Sequence, residues 1–429
     1  MKEKISSALT NLKSNLNKGH DRSVKAKKNI FASFIIKGCN IAISLVLVPL
    51  TIHYVNPTQY GIWLTLSSII GWFAFFDIGF GNGLRNKFAE AIAKDDHQLA
   101  RIYLSTTYAI LSIIIVCLLV IFLCLNPFLN WTSILNTPAS MAAELSTLAL
   151  LVFVFFCLQF ILQLVTTIIT ANQQPAKASF FNFLGSLFSL TVIFILTKTT
   201  SGSLIYLALS LGFTPVLVLT ASSIWFYSHE YKKYAPSLKY VKFSYARELM
   251  SLGLKFFIIQ IATVVLYETS NLIIAQLFGP AQVTPYNVAY KYFGIIPMVM
   301  GIIMTPIWSA ITEAWVKQDI AWIKTTMKRL QILWIVLSLV TLGMLLVSNF
   351  VYKLWVGKDL LIPVSISVAM ASYVIINAWN GIYSQFVNGV GKIKLQLYIA
   401  LASTLINIPL AIYLGRHVGI YGVVLSTTI

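Results

Sequence analysis

The chain has 429 residues, of which 58% are hydrophobic and 10% charged, with a formal net charge of +18. A soluble domain carries about 25% charged residues, so too little polar surface remains to cover a water-soluble particle of this size. Apolar runs of roughly 19–28 residues recur along the whole length, which suits spanning helices and not the ~10-residue strands of a barrel or a single anchor on a soluble domain.

The first thirty residues are polar and basic, without the apolar core and small-residue cleavage site of a signal peptide. They are expected to stay on the protein, as an amphipathic helix on an anionic leaflet or as a disordered tail. Spans are predicted at 31–52, 60–81, 102–125, 146–170, 179–197, 203–227, 250–277, 285–311, 329–352, 361–387 and 394–414. A twelfth begins near 417, and the residues from there to Ile429 make about 20 Å of helix against a ~30 Å hydrocarbon core, so it is expected to be incomplete. The resulting division is a basic segment 1–30, an N-lobe 31–227 (spans 1–6), a basic linker 228–249 and a C-lobe 250–429 (spans 7–12).

The loops set an orientation. With the N-terminus inside, 24 lysines and arginines fall on cytoplasmic segments; only Lys198, Lys353, Lys358 and Arg416 fall outside. This bias accounts for the net charge without a nucleic-acid partner. The external loops are short, the longest being 126–145, and leave no room for an enzyme domain. Cys39, Cys117, Cys124 and Cys157 lie in apolar runs with no CxxC spacing and no histidine partner, and are read as buried apolar side chains. No P-loop occurs, which argues against direct ATP use, and the histidines form no metal or catalytic constellation; no cofactor is expected.

An internal repeat runs at an offset of 223 residues. Pro57 and Gln59 match Pro280 and Gln282, Glu90-Ala91 matches Glu313-Ala314, Lys94 matches Lys317, Asp96 matches Asp319, and Arg101 matches Lys324. An all-α membrane protein of about twelve helices in two pseudo-repeated six-helix lobes is therefore expected. Same-topology repeats about an axis along the membrane normal characterise transporters, with the substrate between the lobes.

The run Tyr60-Gly61-Ile62-Trp63-Leu64, then Asp77-Ile78-Gly79-Phe80-Gly81-Asn82-Gly83-Leu84-Arg85-Asn86, then Glu90-Ala91, resembles the polysaccharide transporter family. These are the O-antigen flippase-type proteins of the multidrug/oligosaccharidyl-lipid/polysaccharide exporter superfamily. The resemblance implies a V-shaped, two-lobed exporter that moves undecaprenyl-pyrophosphate-linked oligosaccharide across a bacterial inner membrane. It also implies membrane lipids and polysaccharide polymerase or assembly proteins as partners. The incomplete twelfth span departs from the family pattern.

Ionisable residues inside spans cost a few kcal/mol on insertion scales and each needs a reason. Five occur: Lys37, Asp77, Lys255, Glu268 and Lys291. Lys37 and Lys255 fit snorkelling to the inner interface or, with Arg85 and Lys291, attraction of a lipid pyrophosphate. Lys37–Asp77 and Glu268–Lys291 fit structural pairs; Asp77 and Glu268 also fit gating or coupling roles. The Gly79–Gly83 run reads as a helix terminator or as a turn that lets a headgroup approach. Polar stripes through Lys37, Asn40 and Ser44, through Gln260, Thr263, Tyr267, Ser270 and Asn271, through Gln159, Gln163, Thr166 and Thr170, and through Asn377, Asn380, Ser384 and Asn388 fit interhelical glue or a wet cavity that takes sugars. Tyr267, Tyr290 and Tyr292 fit interface belts or sugar stacking. The competing function is a Na⁺- or H⁺-coupled small-molecule antiporter, which predicts a cavity dominated by acids. A glycosyltransferase or polymerase would need a large external loop.

Overall fold

The computed structural model describes residues 21–77, 79–172, 174–250, 269–316, 318–390 and 394–428; among them every regular element is helical. In the first half these are α1 (Asp21–Val55), α2 (Pro57–Gly71), a 3-10 turn (Trp72–Asp77), α3 (Phe80–Ala93), α4 (His97–Leu125) and the short α5 (Trp131–Leu135). Then come α6 (Ala142–Leu162), α7 (Leu164–Ala171), α8 (Pro175–Thr199), α9 (Leu204–Ala208), a π turn (Leu209–Phe213) and α10 (Thr214–Ser228). The second half holds α11 (Thr269–Phe278), α12 (Val283–Phe293), α13 (Ile295–Val316), α14 (Ile320–Trp355), α15 (Val364–Val390), α16 (Lys394–Val418) and α17 (Ile420–Ser426). Among the described residues, seven helical stretches are long and apolar enough to cross a membrane.

Helix α1 begins upstream of the predicted first span, so the end of the basic leader is helical. Prolines 57, 175 and 280 stand at helix starts, where the missing N–H is not needed and φ is already helical. Hydroxyls within the spans bond back to carbonyls one turn earlier, as in Thr65 to Gly61 (2.9 Å), Thr107 to Tyr103 (2.9 Å) and Thr341 to Leu337 (2.8 Å). That satisfies them where no water reaches. Of the cysteines, only Cys157 is buried; Cys39, Cys117 and Cys124 are exposed on helix faces, which corrects the expectation that all four are interior. Burial fails to follow from hydropathy here because the solvent for the outward face is itself apolar.

The repeat is legible in the backbone. Asp95 and Gln318 share a left-handed conformation, with φ of 59° and 57°, and Asn56 and Gly279 share φ of 82° and 88°. Asp96 N–H donates to the Ala91 carbonyl and Asp319 N–H to the Ala314 carbonyl, both at 2.9 Å. Each aspartate then caps the following helix, Asp96 accepting from Leu99 N–H (2.8 Å) and Asp319 from Trp322 N–H (3.0 Å). The recurring Glu-Ala and Asp of the motif thus encode one tight turn and one N-cap, used twice.

Helix α1 packs along α8, α3 lies against α4 and α7, and α8 against α10; in the second half α13, α14 and α17 surround α15. Call the side carrying Lys87, Arg101 and the linker the basic face. There the linker is tied to α4. Arg101 Nε donates to the Ala235 carbonyl (2.9 Å), Ser237 N–H to Ser105 Oγ (3.2 Å) and Lys242 N–H to Thr106 Oγ1 (3.0 Å). Thr106 Oγ1 also donates to the Lys242 carbonyl (3.4 Å), and Arg101 lies 4.3 Å over the Tyr240 ring. Thr106→Val removes both bonds to Lys242 and leaves its N–H unpaired, while its carbonyl keeps the Tyr245 N–H. We expect it to cost about 1–3 kcal/mol, read as faster proteolysis of the linker and a lower Tm.

An ion cluster extends the same clasp. Lys87 reaches Glu248 at 2.7 Å and Glu90 at 3.1 Å, and Lys94 reaches Glu90 at 2.6 Å. The hydrogen bonds from Lys94 and then Lys87 hold the Glu90 carboxyl below its ordinary value, and the bond to Glu248 chiefly holds the Lys87 ammonium above its own. The Glu90 contribution is present above the ordinary carboxylate value and lost as pH falls through the lowered one. The Lys87 contribution is present below the ordinary ammonium value and lost as pH rises through the raised one. Linker proteolysis is therefore expected to be flat from about pH 5 to 9 and to rise toward either extreme.

Candidate functional site

The second span is broken, not terminated. The Gly79–Gly83 run restarts the helix: Gly79 sits at φ 79°, a conformation that costs glycine nothing, and α3 begins at Phe80. The Asp77 carboxylate accepts the Gly81 N–H at 2.9 Å and 3.2 Å, so it caps the N-terminus of α3 and offsets its positive dipole end. Gly83 lets the helix pass so close to the Leu249 carbonyl that a β-carbon there would overlap it.

The fourth span is broken too, at Gln163 between α6 and α7. Its carbonyl accepts the Thr166 hydroxyl (2.7 Å), and the Thr166 carbonyl accepts the Thr170 hydroxyl (2.7 Å). The two breaks face each other across a cavity of about 400 Å³, lined by Asp77, Asn82, Arg85, Gln163, Thr166 and Thr170 among others. Arg85 and Gln163 are exposed and Asp77 is half-buried. Arg85 has no ion-pair partner among the described residues. The cleft offers an anion one planar guanidinium fork and a sugar several amides and hydroxyls. Asp77 is the one acid lining it among the described residues, and its oxygens already serve the α3 backbone.

A second cavity of about 310 Å³ is lined by Tyr290, Lys291, Met298, Tyr373 and Asn377 among others. Lys291 Nζ reaches across to Tyr60 Oη of the other lobe at 3.4 Å. This contact belongs to a seam at the face opposite the basic one. Thr284 Oγ1 donates to the Pro57 carbonyl (2.6 Å) and Asn271 Nδ2 to Ser68 Oγ (2.7 Å). Asn287 Nδ2 donates to Asn271 Oδ1 (2.7 Å), completing a buried relay. Gly61 packs so tightly on Pro280 that any β-carbon would overlap its carbonyl oxygen. The loop 126–145, a mere connector by its sequence, brackets the seam: Asn136 Nδ2 donates to the Ala275 carbonyl (3.1 Å) and Gln276 Nε2 to the Ser133 carbonyl (2.8 Å). Trp131, buried, holds this loop through Nε1 to Asn126 Oδ1 (2.8 Å). Trp355 Nε1 adds a bond to the Leu45 carbonyl (2.7 Å).

Of the residues singled out from sequence, the structure brings Asp77 and Arg85 into one cleft with the Gln163, Thr166 and Thr170 stripe, and sets Lys291 apart in the seam with Asn377. Lys37 is exposed and Asn40 half-buried on α1, lining neither cavity. The Lys37–Asp77 pair is absent among the described residues; Asp77 serves the α3 backbone instead. Tyr292 is buried, its hydroxyl on the Met344 carbonyl (3.0 Å), so it is structural. Lys255, Gln260, Glu268 and Tyr267 lie outside the described residues. The seam residues Ser68, Asn271, Thr284 and Asn287 were not foreseen as a set; the only signal was an amide or hydroxyl in an apolar run.

Residues 26–312 match the family described as polysaccharide biosynthesis protein. The chain belongs to that family. A curated protein assigned as an O-antigen transporter in Salmonella typhi is 24% identical over 409 residues, covering 92% of this chain and 91% of its own. One assigned as an O-antigen export protein in Yersinia pseudotuberculosis is 22% identical over 344 residues, covering 78% and 76%. Among solved structures, an inward-facing multidrug resistance MATE transporter of the MOP superfamily matches with a TM-score of 0.72 at 13% identity, over 92% of this chain and 90% of that one. The lipid II flippase MurJ, in an inward closed conformation, matches with a TM-score of 0.72 at 15% identity, over 92% and 84%. The two-lobed, V-shaped exporter fold expected from the sequence is thus the fold of this family member.

Proposed function

We propose that this protein is a flippase. It moves undecaprenyl-pyrophosphate-linked oligosaccharide, the repeat unit of O-antigen or another surface polysaccharide, across the bacterial inner membrane by alternating access. The observation that carries the reading is the exposed Arg85 in a polar cleft near the basic face, while the lobes join by a polar seam at the other. The charge bias makes the basic face cytoplasmic, the side on which a lipid-linked sugar would be loaded. Arg85 would pair with the pyrophosphate through its fork, and Asn82, Gln163 and the threonines would hydrogen-bond the proximal sugar. Lys37, Asn40, Lys255 and Gln260 belong to the same reading as further substrate contacts, and Glu268 with Lys291 as a latch.

The seam suits such a cycle. Interhelical hydrogen bonds in membranes contribute about 0.6 kcal/mol each, so a handful of them holds one state without locking it. Opening the seam as the basic-face ends close would carry the headgroup across.

The test is complementation of a bacterial strain lacking its own flippase, with lipid-linked sugars identified by mass spectrometry. Restored surface glycan and a fallen pool of lipid-linked repeat unit are expected. A correctly inserted protein that leaves the pool high would sink the reading. A second reading, cation-coupled antiport of small molecules, is favoured by the Asp77 carboxylate in the same cleft. It predicts drug resistance in the complemented strain, lost in Asp77→Asn, with the glycan pool unchanged.

A further inference from the structure

The linker between the lobes carries apolar side chains where a basic loop has little reason to show them. Leu238 is 88% exposed and Phe243 57%. They alternate with the exposed Lys239 and Lys242, and the stretch from Lys232 to Arg247 holds five basic residues and no acidic one. The segment is not loose, because its backbone is tied to Ser105 and Thr106 of α4 at Ser237 and Lys242. Between linker and helix lies a groove of about 650 Å³, lined by Ser105, Tyr108, Ile113, Leu238, Val241 and Phe243 among others.

The depth of this groove matters. The hydropathy of the third span puts the hydrocarbon boundary near residue 102, so Ser105 to Ile113 lies about 5–16 Å inside it at 1.5 Å per residue. That is the level of the upper methylenes of a bilayer lipid, just below its glycerol backbone. Apolar side chains dipping to this level beside lysines are the signature of an interfacial contact with anionic lipid. The groove shares no lining residue with the cleft of Asp77 and Arg85.

We propose that this groove binds an anionic glycerophospholipid of the leaflet at the basic face. One acyl chain lies along Ile113, Val241 and Phe243. The phosphate sits above the groove, against the exposed Lys239 and Lys242. The bound lipid fastens the linker to α4 at the junction of the lobes. Charge complementarity selects the occupant: the exposed Lys239 and Lys242, next to the lining Leu238, Val241 and Phe243, favour a net negative headgroup over a zwitterionic one. The site is independent of what the lobes transport.

The experiment is native mass spectrometry of the full-length protein released from nanodiscs of phosphatidylglycerol or of phosphatidylcholine. At least one phosphatidylglycerol should be retained at collision energies that strip phosphatidylcholine. Lys239→Gln/Lys242→Gln, which alters only exposed side chains, should cut its retention at least fivefold, as should Leu238→Ser/Phe243→Ser. Lys353→Gln/Lys358→Gln, at the opposite face, should leave it unchanged. Equal retention of both lipids, or of phosphatidylglycerol by wild type and the two linker variants, overturns the proposal. So does displacement of the phosphatidylglycerol by an equimolar polyprenyl phosphate, which would make the groove part of the transport path.

Discussion

Gly61→Leu is expected to abolish glycan export while leaving the protein in the membrane. The new side chain would begin inside the Pro280 carbonyl oxygen, at a close backbone contact between the lobes. Overpacking of this kind costs about 1–3 kcal/mol or more. Because the cost falls only on the state with the seam closed, it shifts the balance of states by about 5- to 150-fold toward seam-open. The check is labelling of Ser270→Cys, buried beside the Asn271 relay, with an impermeant maleimide on intact cells lacking the native cysteines. Labelling should be slow in the parent and fast with Gly61→Leu. Gly61→Ala should act in the same direction, since the overlap starts at the β-carbon. Gly343→Ala, where a β-carbon meets nothing within 4 Å, is the control and should be silent. Parent-like labelling and export in Gly61→Leu would remove the seam from the mechanism.

Arg85→Ala should lower surface glycan by about 10- to 150-fold at equal protein level. A hydrogen bond to a charged group contributes about 1.5–3 kcal/mol, and each 1.4 kcal/mol is tenfold. Arg85 is exposed and has no ion-pair partner among the described residues, so its loss should move the Tm by little. Arg85→Lys should recover part of the export, because charge survives while the two-pronged geometry does not. Asp77→Ala should behave differently. It removes the acceptor for Gly81 N–H at the start of α3, costing about 0.5–2 kcal/mol of stability, so protein level and export should fall together. Thermal stability measured beside glycan output separates the two. Normal export in Arg85→Ala at parental protein level would refute the headgroup role.

Much of this was legible in the sequence, and unevenly. The duplicated Glu-Ala and Asp positions could be aligned by eye because each repeat needs the same turn and the same cap, and both are local. The Asp77–Arg85 block stood out as unusual in an apolar chain, but as a terminator. Whether Gly79 ends a helix or lets a new one begin depends on Asp77 folding back onto Gly81, and a glycine is compatible with both. The interior cysteines were misjudged for a related reason: in lipid an apolar residue is equally at home on either face.

By itself the sequence determined the class of protein, its helical make-up and the capped turn that recurs in both halves. Hydrophobic length and helix-capping turns are properties of short continuous stretches, and a bilayer reads them one stretch at a time. Only the tertiary structure decided which polar groups meet. Ser68 finds Asn271, Asn136 finds the Ala275 carbonyl, and the break at Gln163 faces the one at Gly79. Membrane helices lack the polar outer face that, in water, reveals which side turns inward. Partners far apart in the chain therefore become visible only once the helices are packed.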